Sequence, residues 1–531
     1  MTVGGSSVFP VYLAGQWRAA KSTGIFHGVN PATKQEIAGA FPVSGWEDCA
    51  ASIAAADAAF AALRGVPAER LAGFLETYAA AIEASSEGLC AMAAQETALP
   101  VAPRLKDVEL PRTVNQLRQA AAAAREGSWA LATIDTKINL RSCLGPIGPV
   151  LVMGPNNFPF AYNAIAGGDF ASAIAAGNPV IAKAHPSHPG TTRLLAELAA
   201  KALEEAGLPA ATVQLLYHLK AEDGLKMVGD PRVKAVGFTG SRGGGLKLKG
   251  AADAGGKPFF GEMSSINPVV ILPGALKENL DNVVAQFVTS GLAGVGQFCT
   301  NPGLVLLMEG AETEKFIEAV KGKYAAAPVG TLLSEGVAVN LSAAVDTLLR
   351  SGADLVVGGA AGGGAGYCFN NTLMRASAAT FISHAEALQS EAFGNAALFV
   401  VAGNIQEMER VLALLEGNLT GCVYSDTKGA DDAAYERVAA ILRQKVGRLL
   451  NDKMPTGVAV SAAMNHGGPF PATSQPHFTA VGFPAAMRRF TTLQCYDNVR
   501  EGRLPAALKN KNPHGAMWRA IDGQWTKGDV P

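Results

Sequence analysis

The chain has 531 residues, 49% of them hydrophobic and 17% charged, with a formal net charge of −1. This length predicts two or three domains, and the near-neutral charge without a Lys/Arg cluster argues against nucleic acid as a partner. No apolar run reaches the roughly 20 residues that cross a bilayer, and the 7 cysteines are scattered without any CxxC pair, so we expect no membrane partner, no disulfide scaffold and no metal site.

The N-terminal part begins with β-structure and continues with helices. Residues 9–45 contain short strand-like pieces separated by Gly and Asn-Pro turns. Residues 46–126 are alanine-rich with a 3.6-residue period, which predicts helices. The first residues, MTVGGSSVFPVYLAGQW, have neither the basic nor the apolar region of a signal peptide, so we expect a cytoplasmic protein.

Strands and helices alternate in the central part of the chain. Apolar runs such as GPVLVMGP, NPVIAKAHP and VKAVGFTGS predict buried strands, and the segments between them, including FAYNAIAGGDFASAIAAG, predict helices. This rhythm predicts an α/β fold with a doubly wound parallel sheet that binds a dinucleotide. A second alternating block predicts another α/β domain.

These patterns divide the chain into four kinds of segment. We expect a nucleotide-binding part with its preceding helices, a second α/β domain, two extended segments that bridge subunits, and a C-terminal tail. The corresponding residues are 1–127 with 146–266, then 267–470, then 128–145 with 471–510, and finally 511–531.

Two segments have the features of a nucleotide site. GFTGSRGGG (237–245) follows a strand and opens a helix, so its glycines and free amides suit a phosphate, although the pattern is not a strict GxGxxG and also fits a turn that binds nothing. Lys183 lies where a strand ends, which is the edge at which a parallel sheet binds its ligand. Lys183 is therefore either a ligand contact or an ordinary solvent-exposed lysine in a loop.

One cysteine lies in an unusual loop, GVGQFCTNPG (294–303). Glycine or proline at every few positions prevents this stretch from forming the interior of an ordinary helix or strand. Cys299 is therefore either a small buried hydrophobe or a nucleophile held by a special loop.

Six stretches in this order resemble the aldehyde dehydrogenase superfamily. They are GPNNFPF (154–160), GNPVIAKAHPSHP (177–189), VGFTGS (236–241), FGEMSSINPVVI (260–271), GQFCTNPG (296–303) and SEAFGNAALFV (390–400). The resemblance implies a dinucleotide-binding sheet, a catalytic α/β domain and a small β oligomerisation segment, assembled as a homodimer or homotetramer. MPTGVAVSAAMNHGGPFPATSQPHFTAVG (454–482) is similar to the NADP-dependent α-ketoglutaric semialdehyde (2,5-dioxovalerate) dehydrogenase branch, and NADP-linked fatty aldehyde dehydrogenases share parts of the pattern.

The resemblance implies a role for each matching residue. Cys299 is the implied nucleophile, Asn157 the amide that binds the oxyanion, and Glu262 the general base. The implied cofactor contacts are Lys183, His185, Ser187, Thr239, Gly240, Ser241, Glu391 and Phe393, and the implied substrate contacts are Phe158, Gln297, Phe298 and His466. For His466, a purely structural role in its loop is the alternative interpretation.

One departure from the family pattern bears on the cofactor. NAD-preferring relatives have a glutamate three residues beyond the lysine, where this sequence has Pro186. Without that carboxylate a 2′-phosphate meets no like charge, and the nearby Lys183 attracts it. The expected cofactor is therefore NADP, with NAD as the alternative and Lys220 as a further contact.

The expected reaction is the NADP-dependent oxidation of α-ketoglutarate semialdehyde to α-ketoglutarate through a thiohemiacetal and a thioester on Cys299. One alternative is a broader NADP-dependent dehydrogenase of aliphatic or fatty aldehydes, and another is an inactive homologue with a binding or structural role. A keto-acid substrate needs a cationic or amide-rich anchor, for which the sequence offers Arg112, Arg118 and Arg488 without placing any of them.

Overall fold

The computed structural model describes residues 8–513 and 515–531. Residues 1–7, the start of the segment in which we predict no signal peptide, and position 514 of the predicted tail lie outside the described residues. Among the helices of the described ranges, none has the length and apolar content that a membrane span requires.

The described residues contain 24 strands and 14 α-helices, joined by short 3₁₀ turns and a π-helical segment at Val101–Glu109. The strands are β1 (Val11–Leu13), β2 (Gln16–Arg18), β3 (Ser22–Phe26), β4 (Val29–Asn30), β5 (Gln35–Glu36), β6 (Phe41–Ser44), β7 (Thr133–Asp135), β8 (Leu140–Pro146), β9 (Val150–Met153), β10 (Val180–Lys183), β11 (Val213–Leu216), β12 (His218–Leu219), β13 (Ala235–Thr239), β14 (Phe259–Glu262), β15 (Val269–Ile271), β16 (Leu304–Met308), β17 (Asp354–Val357), β18 (Thr372–Ser377), β19 (Ala396–Ala402), β20 (Asn418–Tyr424), β21 (Val446–Asn451), β22 (Thr491–Asp497), β23 (Arg519–Ile521) and β24 (Gln524–Thr526). The helices are α1 (Trp46–Leu63), α2 (Ala68–Ala84), α3 (Ser86–Thr97), α4 (Leu110–Glu126), α5 (Gly168–Ala175), α6 (Pro189–Glu205), α7 (Ala221–Gly229), α8 (Arg242–Ala254), α9 (Pro273–Leu292), α10 (Ala311–Ala326), α11 (Glu335–Arg350), α12 (Ala378–Ser383), α13 (Ile405–Leu414) and α14 (Asp432–Lys445).

The first sheet is the predicted doubly wound sheet. Its strand order is β14-β13-β9-β10-β11-β1-β2, and the run from β14 to β11 is parallel. Strand β9 is buried along its whole length, as its unbroken apolar sequence VLVM requires of a strand covered on both faces. Since the chain order reverses at β9, the crevice at the carboxyl ends of β13, β9 and β10 is where a parallel sheet of this kind binds its ligand.

The second sheet has the order β17-β18-β19-β16-β15-β20-β21 and is parallel from β18 to β21. The loop that carries Cys299 connects α9 to β16 of this sheet. The second α/β block predicted from the sequence is therefore present, and it carries the candidate nucleophile.

A third sheet, in the order β22-β8-β7-β23-β24, joins the two segments that we predict to bridge subunits. The segment 511–531, expected to be a tail, supplies β23 and β24, and β23 pairs with β7. The buried guanidinium of Arg519 donates to the carbonyls of Lys509, Asn510 and Gly528. These residues are thus an integral part of the sheet rather than a free tail.

One predicted helix begins later than expected. Of the stretch 160–177, only α5 from Gly168 onward is helical, and the residues before it form turns. The carboxylate of Glu109 accepts hydrogen bonds from the N–H groups of Phe160 and Ala161 at 2.8 and 3.0 Å, and the side chain of Asn163 accepts one from Ile165 N at 3.1 Å. Because side chains accept hydrogen bonds from these backbone N–H groups, the segment is stable without forming a helix, although its sequence has helical periodicity.

Candidate active site

The loop before Cys299 has a left-handed backbone. Gly294, Val295 and Gly296 have φ angles of 53°, 59° and 68°. A Cβ atom at Gly296 would lie 2.1 Å from the carbonyl oxygen of Gly394, so this position tolerates glycine alone. Val295, a β-branched residue, is strained in this conformation, as residues beside functional sites often are. The small residues around Cys299 therefore build a special loop.

Asn267, at the start of the second sheet, fixes this loop from the other side. Its Nδ2 atom donates to the carbonyls of Cys299 at 2.8 Å and Asn301 at 2.9 Å, and its Oδ1 atom accepts from the hydroxyls of Ser265 and Thr420, each at 2.8 Å. Asn267 is a positioning residue, because it holds the backbone of the candidate nucleophile through a fully hydrogen-bonded amide.

Cys299, His466 and Glu262 form a compact group that we call the catalytic cluster. The Sγ atom of Cys299 lies 3.5 Å from Nε2 of His466, and the same Nε2 atom lies 3.1 Å from Oε1 of Glu262. Both partners of the cysteine are only 1% exposed. Glu262 ends β14 of the first sheet and Cys299 lies in the loop that leads into β16 of the second, so the cluster connects the two sheets.

Electrostatics keep the sulfur of the cluster protonated at rest. Burial, together with the negative charge of Glu262, raises the pKa of the Cys299 thiol well above its usual range. A proton on Nε2 of His466 donates to the carboxylate or to a thiolate, since both face this nitrogen. Oε2 of Glu262 is buried and has no hydrogen-bond partner among the described residues, which leaves it free to accept a proton.

Asn157 follows β9 and reaches the cluster from the nucleotide-binding sheet. Its Nδ2 atom donates to the carbonyl oxygen of Gln297 at 3.0 Å, which leaves its second amide hydrogen free. Its own carbonyl oxygen accepts from Nη2 of Arg104 at 3.0 Å, and Arg104 forms an ion pair with the buried Glu109. Since Glu109 also holds the turn after Asn157, one carboxylate braces this loop at both ends.

A cavity of about 1010 Å³ opens beside the catalytic cluster. Its volume is of the size that cofactor sites have. Its lining includes all three predicted catalytic residues and six of the predicted cofactor contacts. These residues are Asn157, Glu262 and Cys299, with His185, Thr239, Gly240, Ser241, Glu391 and Phe393.

The walls of this cavity fit a dinucleotide. Ser241 caps α8, with its Oγ atom accepting from Gly244 N at 3.4 Å, so the helix presents free amides at the edge of the cavity. Glu391 lines the same cavity, and burial raises the pKa of its carboxyl to about 7, while hydrogen bonds from Ser264 and Ser265 oppose that rise. The amide donors suit a phosphate, and the carboxyl group suits a ribose hydroxyl.

Lys183 ends β10 among several imidazoles. Burial lowers the pKa of its ammonium to about 8, and it makes no ion pair with any carboxylate of the described ranges. Burial lowers the pKa of the His185 and His218 imidazoles, and the nearby charge of Lys183 lowers each further. Ser187 donates its backbone N–H to Nδ1 of His185 at 3.1 Å, so it shapes this corner without lining the cavity. Lys220 is exposed at the start of α7.

Comparison with known proteins assigns the family. Residues 17–468 match the Aldehyde dehydrogenase family. The chain belongs to this family. It is therefore an oxidoreductase with a nicotinamide cofactor, which confirms the expectation of an enzyme over that of an inactive homologue.

Individual relatives match this aldehyde dehydrogenase over most of their length. The chain is 39% identical over 525 residues to α-ketoglutaric semialdehyde dehydrogenase 2 of Azospirillum brasilense, covering 96% of this chain and 98% of that one. It is 34% identical over 516 residues to α-ketoglutaric semialdehyde dehydrogenase of Acinetobacter baylyi, covering 94% and 96%. A Thermus 1-pyrroline-5-carboxylate dehydrogenase with bound NAD is similar in structure, with a TM-score of 0.79 at 23% identity over 92% of this chain and 93% of that one. The predicted α/β fold is thus confirmed.

A second cavity of the aldehyde dehydrogenase, about 430 Å³ in volume, is lined by Phe158 and Phe298. Phe158 follows Asn157 and Phe298 precedes Cys299, and the two rings meet edge to face with centroids 5.4 Å apart. Gln297, predicted to contact the substrate, lines neither cavity. It is buried, with Oε1 accepting from Leu333 N at 2.9 Å, so the structure places it in the support of the loop.

Several positions near the candidate reaction centre make contacts that the sequence does not predict. The sequence predicts His466 as a substrate contact or a structural loop histidine, and the structure places its ring against the Cys299 sulfur. Asn267 and Glu109 act through the residues that they hold, and no local pattern marks such a role. The signal available was weak: Asn267 lies within the FGEMSSINPVVI stretch and His466 within NHGGPF, both already part of the family resemblance.

Proposed function

We propose that this aldehyde dehydrogenase oxidises α-ketoglutaric semialdehyde to α-ketoglutarate with NADP as the cofactor. The observation that carries the proposal is the 39% identity, over almost the entire chain, to a relative named for that substrate. The geometry is consistent with it, because the catalytic cluster lies beside a cavity of cofactor size and next to a smaller one bordered by arginines.

The reaction begins at the protonated sulfur. As Cys299 attacks the aldehyde carbon, its proton passes to Oε2 of Glu262, and the N–H of His466 stabilises the developing thiolate. The new C–S bond pushes the carbonyl electron pair onto oxygen, giving a thiohemiacetal oxyanion. The free amide hydrogen of Asn157 and the backbone N–H of Cys299 stabilise that charge, each donor contributing about 3 kcal/mol.

The nicotinamide, when bound, supplies an acceptor for the hydride that the thiohemiacetal carbon loses. The product of this loss is a thioester on Cys299. After Glu262 has released its first proton to solvent, its carboxylate removes a proton from the water that attacks the thioester. The C–S bond then breaks, the carboxylic acid leaves, and Cys299 regains its proton.

The preference for NADP over NAD rests on the corner around Lys183. Pro186 stands where a carboxylate would repel a 2′-phosphate, and Lys183 is a cation without a carboxylate partner among the described residues. Buried cations of this kind favour an anionic ligand. His185 lines the cavity beside them, and Ser187, predicted as a cofactor contact, donates its backbone N–H to His185 without lining the cavity itself.

Assembly and location complete the proposal. The sheet that contains β22 and β8 joins the predicted bridging segments, which supports a homodimer or homotetramer. The cysteines of the chain are all unpaired, which suits the reducing cytoplasm.

A kinetic panel tests the proposed function. α-Ketoglutarate semialdehyde, glutarate semialdehyde, hexanal and benzaldehyde would each be assayed with NADP and with NAD, by the absorbance of the reduced nicotinamide. We expect the highest kcat/KM for α-ketoglutarate semialdehyde with NADP, and no activity in Cys299→Ser. A strong preference for hexanal would favour the broader aliphatic dehydrogenase, which the apolar walls formed by Phe158 and Phe298 also suit.

A further inference from the structure

Arg112 borders the smaller cavity from the first turn of α4. Its Nη2 atom donates to the hydroxyl of Tyr162 at 3.0 Å, and its Nε atom donates to Oε1 of Gln116 at 3.3 Å. Its guanidinium also lies over the ring of Tyr162, 5.2 Å from the centroid. These contacts fix the orientation of the side chain and leave Nη1 without a hydrogen-bond partner among the described residues.

The charge of Arg112 is not neutralised by a carboxylate of the described residues, in contrast to those of Arg104 and Arg118. Arg104, which lines the same cavity, is paired with Glu109, and Arg118, on the outer side of α4, is paired with Glu83. Among the described residues Arg112 has only neutral partners. A half-buried cation held by neutral groups is poised for an anion that arrives with a ligand.

Aromatic contacts connect Arg112 to the reaction centre. The ring of Tyr162 contacts both the guanidinium of Arg112 and the ring of His466, and the Tyr162 and His466 centroids are 5.7 Å apart. The positive charge of Arg112 acts on the Cys299 thiol as well. An aldehyde with its carbonyl carbon at the sulfur therefore directs its far end along this aromatic wall toward Arg112.

We propose that Arg112 is the carboxylate-binding residue of the substrate subsite, which selects short aldehydes that end in a carboxylate. This inference rests on the proposed function, and it names the group that the sequence could not place. Arg118 is at the surface and Arg488 is exposed, so neither of these alternatives reaches the cavity. Arg104 is a positioning residue, because its charge is bound to Glu109 and its Nη2 atom holds Asn157.

Paired substrates test the subsite. Wild type, Arg112→Met and Arg112→Lys would be assayed with α-ketoglutarate semialdehyde and with pentanal, which has the same number of carbons and no carboxylate. We expect Arg112→Met to lower kcat/KM for the keto acid about 10- to 100-fold, the worth of a charge-assisted hydrogen bond, and to change pentanal by less than about threefold. Arg112→Lys keeps the positive charge but lacks the planar guanidinium that can bind both carboxylate oxygens, so an intermediate loss of kcat/KM is expected. Arg118→Met, on the same helix, is the matched control and changes neither substrate.

Product binding provides a readout that does not depend on turnover. α-Ketoglutarate carries the same carboxylate, so its inhibition constant against pentanal oxidation is expected to rise in Arg112→Met by a factor similar to that for the substrate. An equal loss for both aldehydes would overturn the proposal, because it would mean that Arg112 only supports Tyr162. If the ratio of kcat/KM for the two substrates in Arg112→Met equalled that of wild type, the proposal would be overturned as well. If Arg112→Met does not fold, the same comparison in Arg112→Lys decides.

Different results would contradict this inference and the proposed function. If wild type itself prefers pentanal, the proposed substrate is wrong, whatever the variants do. In that case inhibition by α-ketoglutarate still shows whether Arg112 binds a carboxylate. If wild type prefers the keto acid and Arg112→Met keeps that preference, the proposed function is supported and the assignment of Arg112 is wrong.

Discussion

Replacing His466 with phenylalanine tests the catalytic cluster directly. The substitution keeps an aromatic ring of similar size beside Tyr162 and removes the nitrogen that lies 3.5 Å from the sulfur and 3.1 Å from Glu262. The carboxylate and the thiolate thereby lose the same N–H donor. We expect the variant to fold and to turn over slowly.

The size of the effect follows from that single donor. A hydrogen bond to a charged group contributes roughly 1.5–3 kcal/mol. At about 1.4 kcal/mol for each factor of ten, kcat/KM should fall by roughly 10- to 150-fold. Because the donor stabilises the thiolate, its loss also raises the pKa of Cys299 further, so the sulfur should react more slowly at any given pH.

Two measurements read out these effects separately. Initial rates of nicotinamide reduction give kcat/KM, and the rate of alkylation by iodoacetamide as a function of pH gives the thiolate population of Cys299. We expect the alkylation profile of His466→Phe to move to higher pH, and His466→Gln, which retains an N–H donor, to lie between the two. A kcat/KM within about threefold of wild type, with an unchanged alkylation profile, would refute the role assigned to His466.

Three further outcomes follow from the same site. Glu109→Gln breaks the buried ion pair that braces the Asn157 loop, so kcat should fall about 10- to 100-fold and the melting temperature should drop as well. Lys183, with its pKa lowered to about 8, is charged below that pH and neutral above it, so the ratio of kcat/KM for NADP to that for NAD should fall as the pH rises through this value. The thiol, imidazole and carboxylate of the catalytic cluster offer ligand atoms that all lie within 4.8 Å of one another, so micromolar Zn²⁺ should inhibit the enzyme and EDTA should restore it.

Each of these outcomes has its own control. A Glu109→Gln variant with wild-type kcat would show that Arg104 alone holds the loop. Lys183→Met should lower the NADP preference and remove its dependence on pH, and a ratio that still varied with pH would assign the titration to another group. Inhibition by Zn²⁺ should weaken in His466→Phe, whereas equal inhibition of this variant would place the ion elsewhere.

The sequence predicts those parts of the enzyme whose cause is local. Alternating apolar runs predict the doubly wound sheet, and the glycine-rich stretch around Cys299 predicts a special loop, which the positive φ angles of Gly294 and Gly296 bear out. The resemblance places Asn157, Glu262 and Cys299 in one site, and the structure brings all three to a single cavity.

Contacts between distant segments account for what the sequence misses. His466 lies 167 positions from Cys299 along the chain and reaches the sulfur only because the tertiary fold brings the segment 454–482 next to it. Gln297 directly precedes Phe298, yet its side chain turns to Leu333, since adjacency along the chain does not fix the direction of a side chain. Arg112 is one of several arginines on α4 and nearby elements, and only the tertiary structure shows that it borders the smaller cavity without a carboxylate partner among the described residues.

The raised pKa of the Cys299 thiol also decides how the resting enzyme withstands oxidants. Peroxides attack the thiolate far faster than the thiol, and the resulting sulfenic acid is the first step toward irreversible damage. A sulfur that stays protonated until an aldehyde arrives is therefore shielded between turnovers. Burial and the charge of Glu262, the proposed general base, would thus together protect Cys299 while the enzyme waits for its substrate.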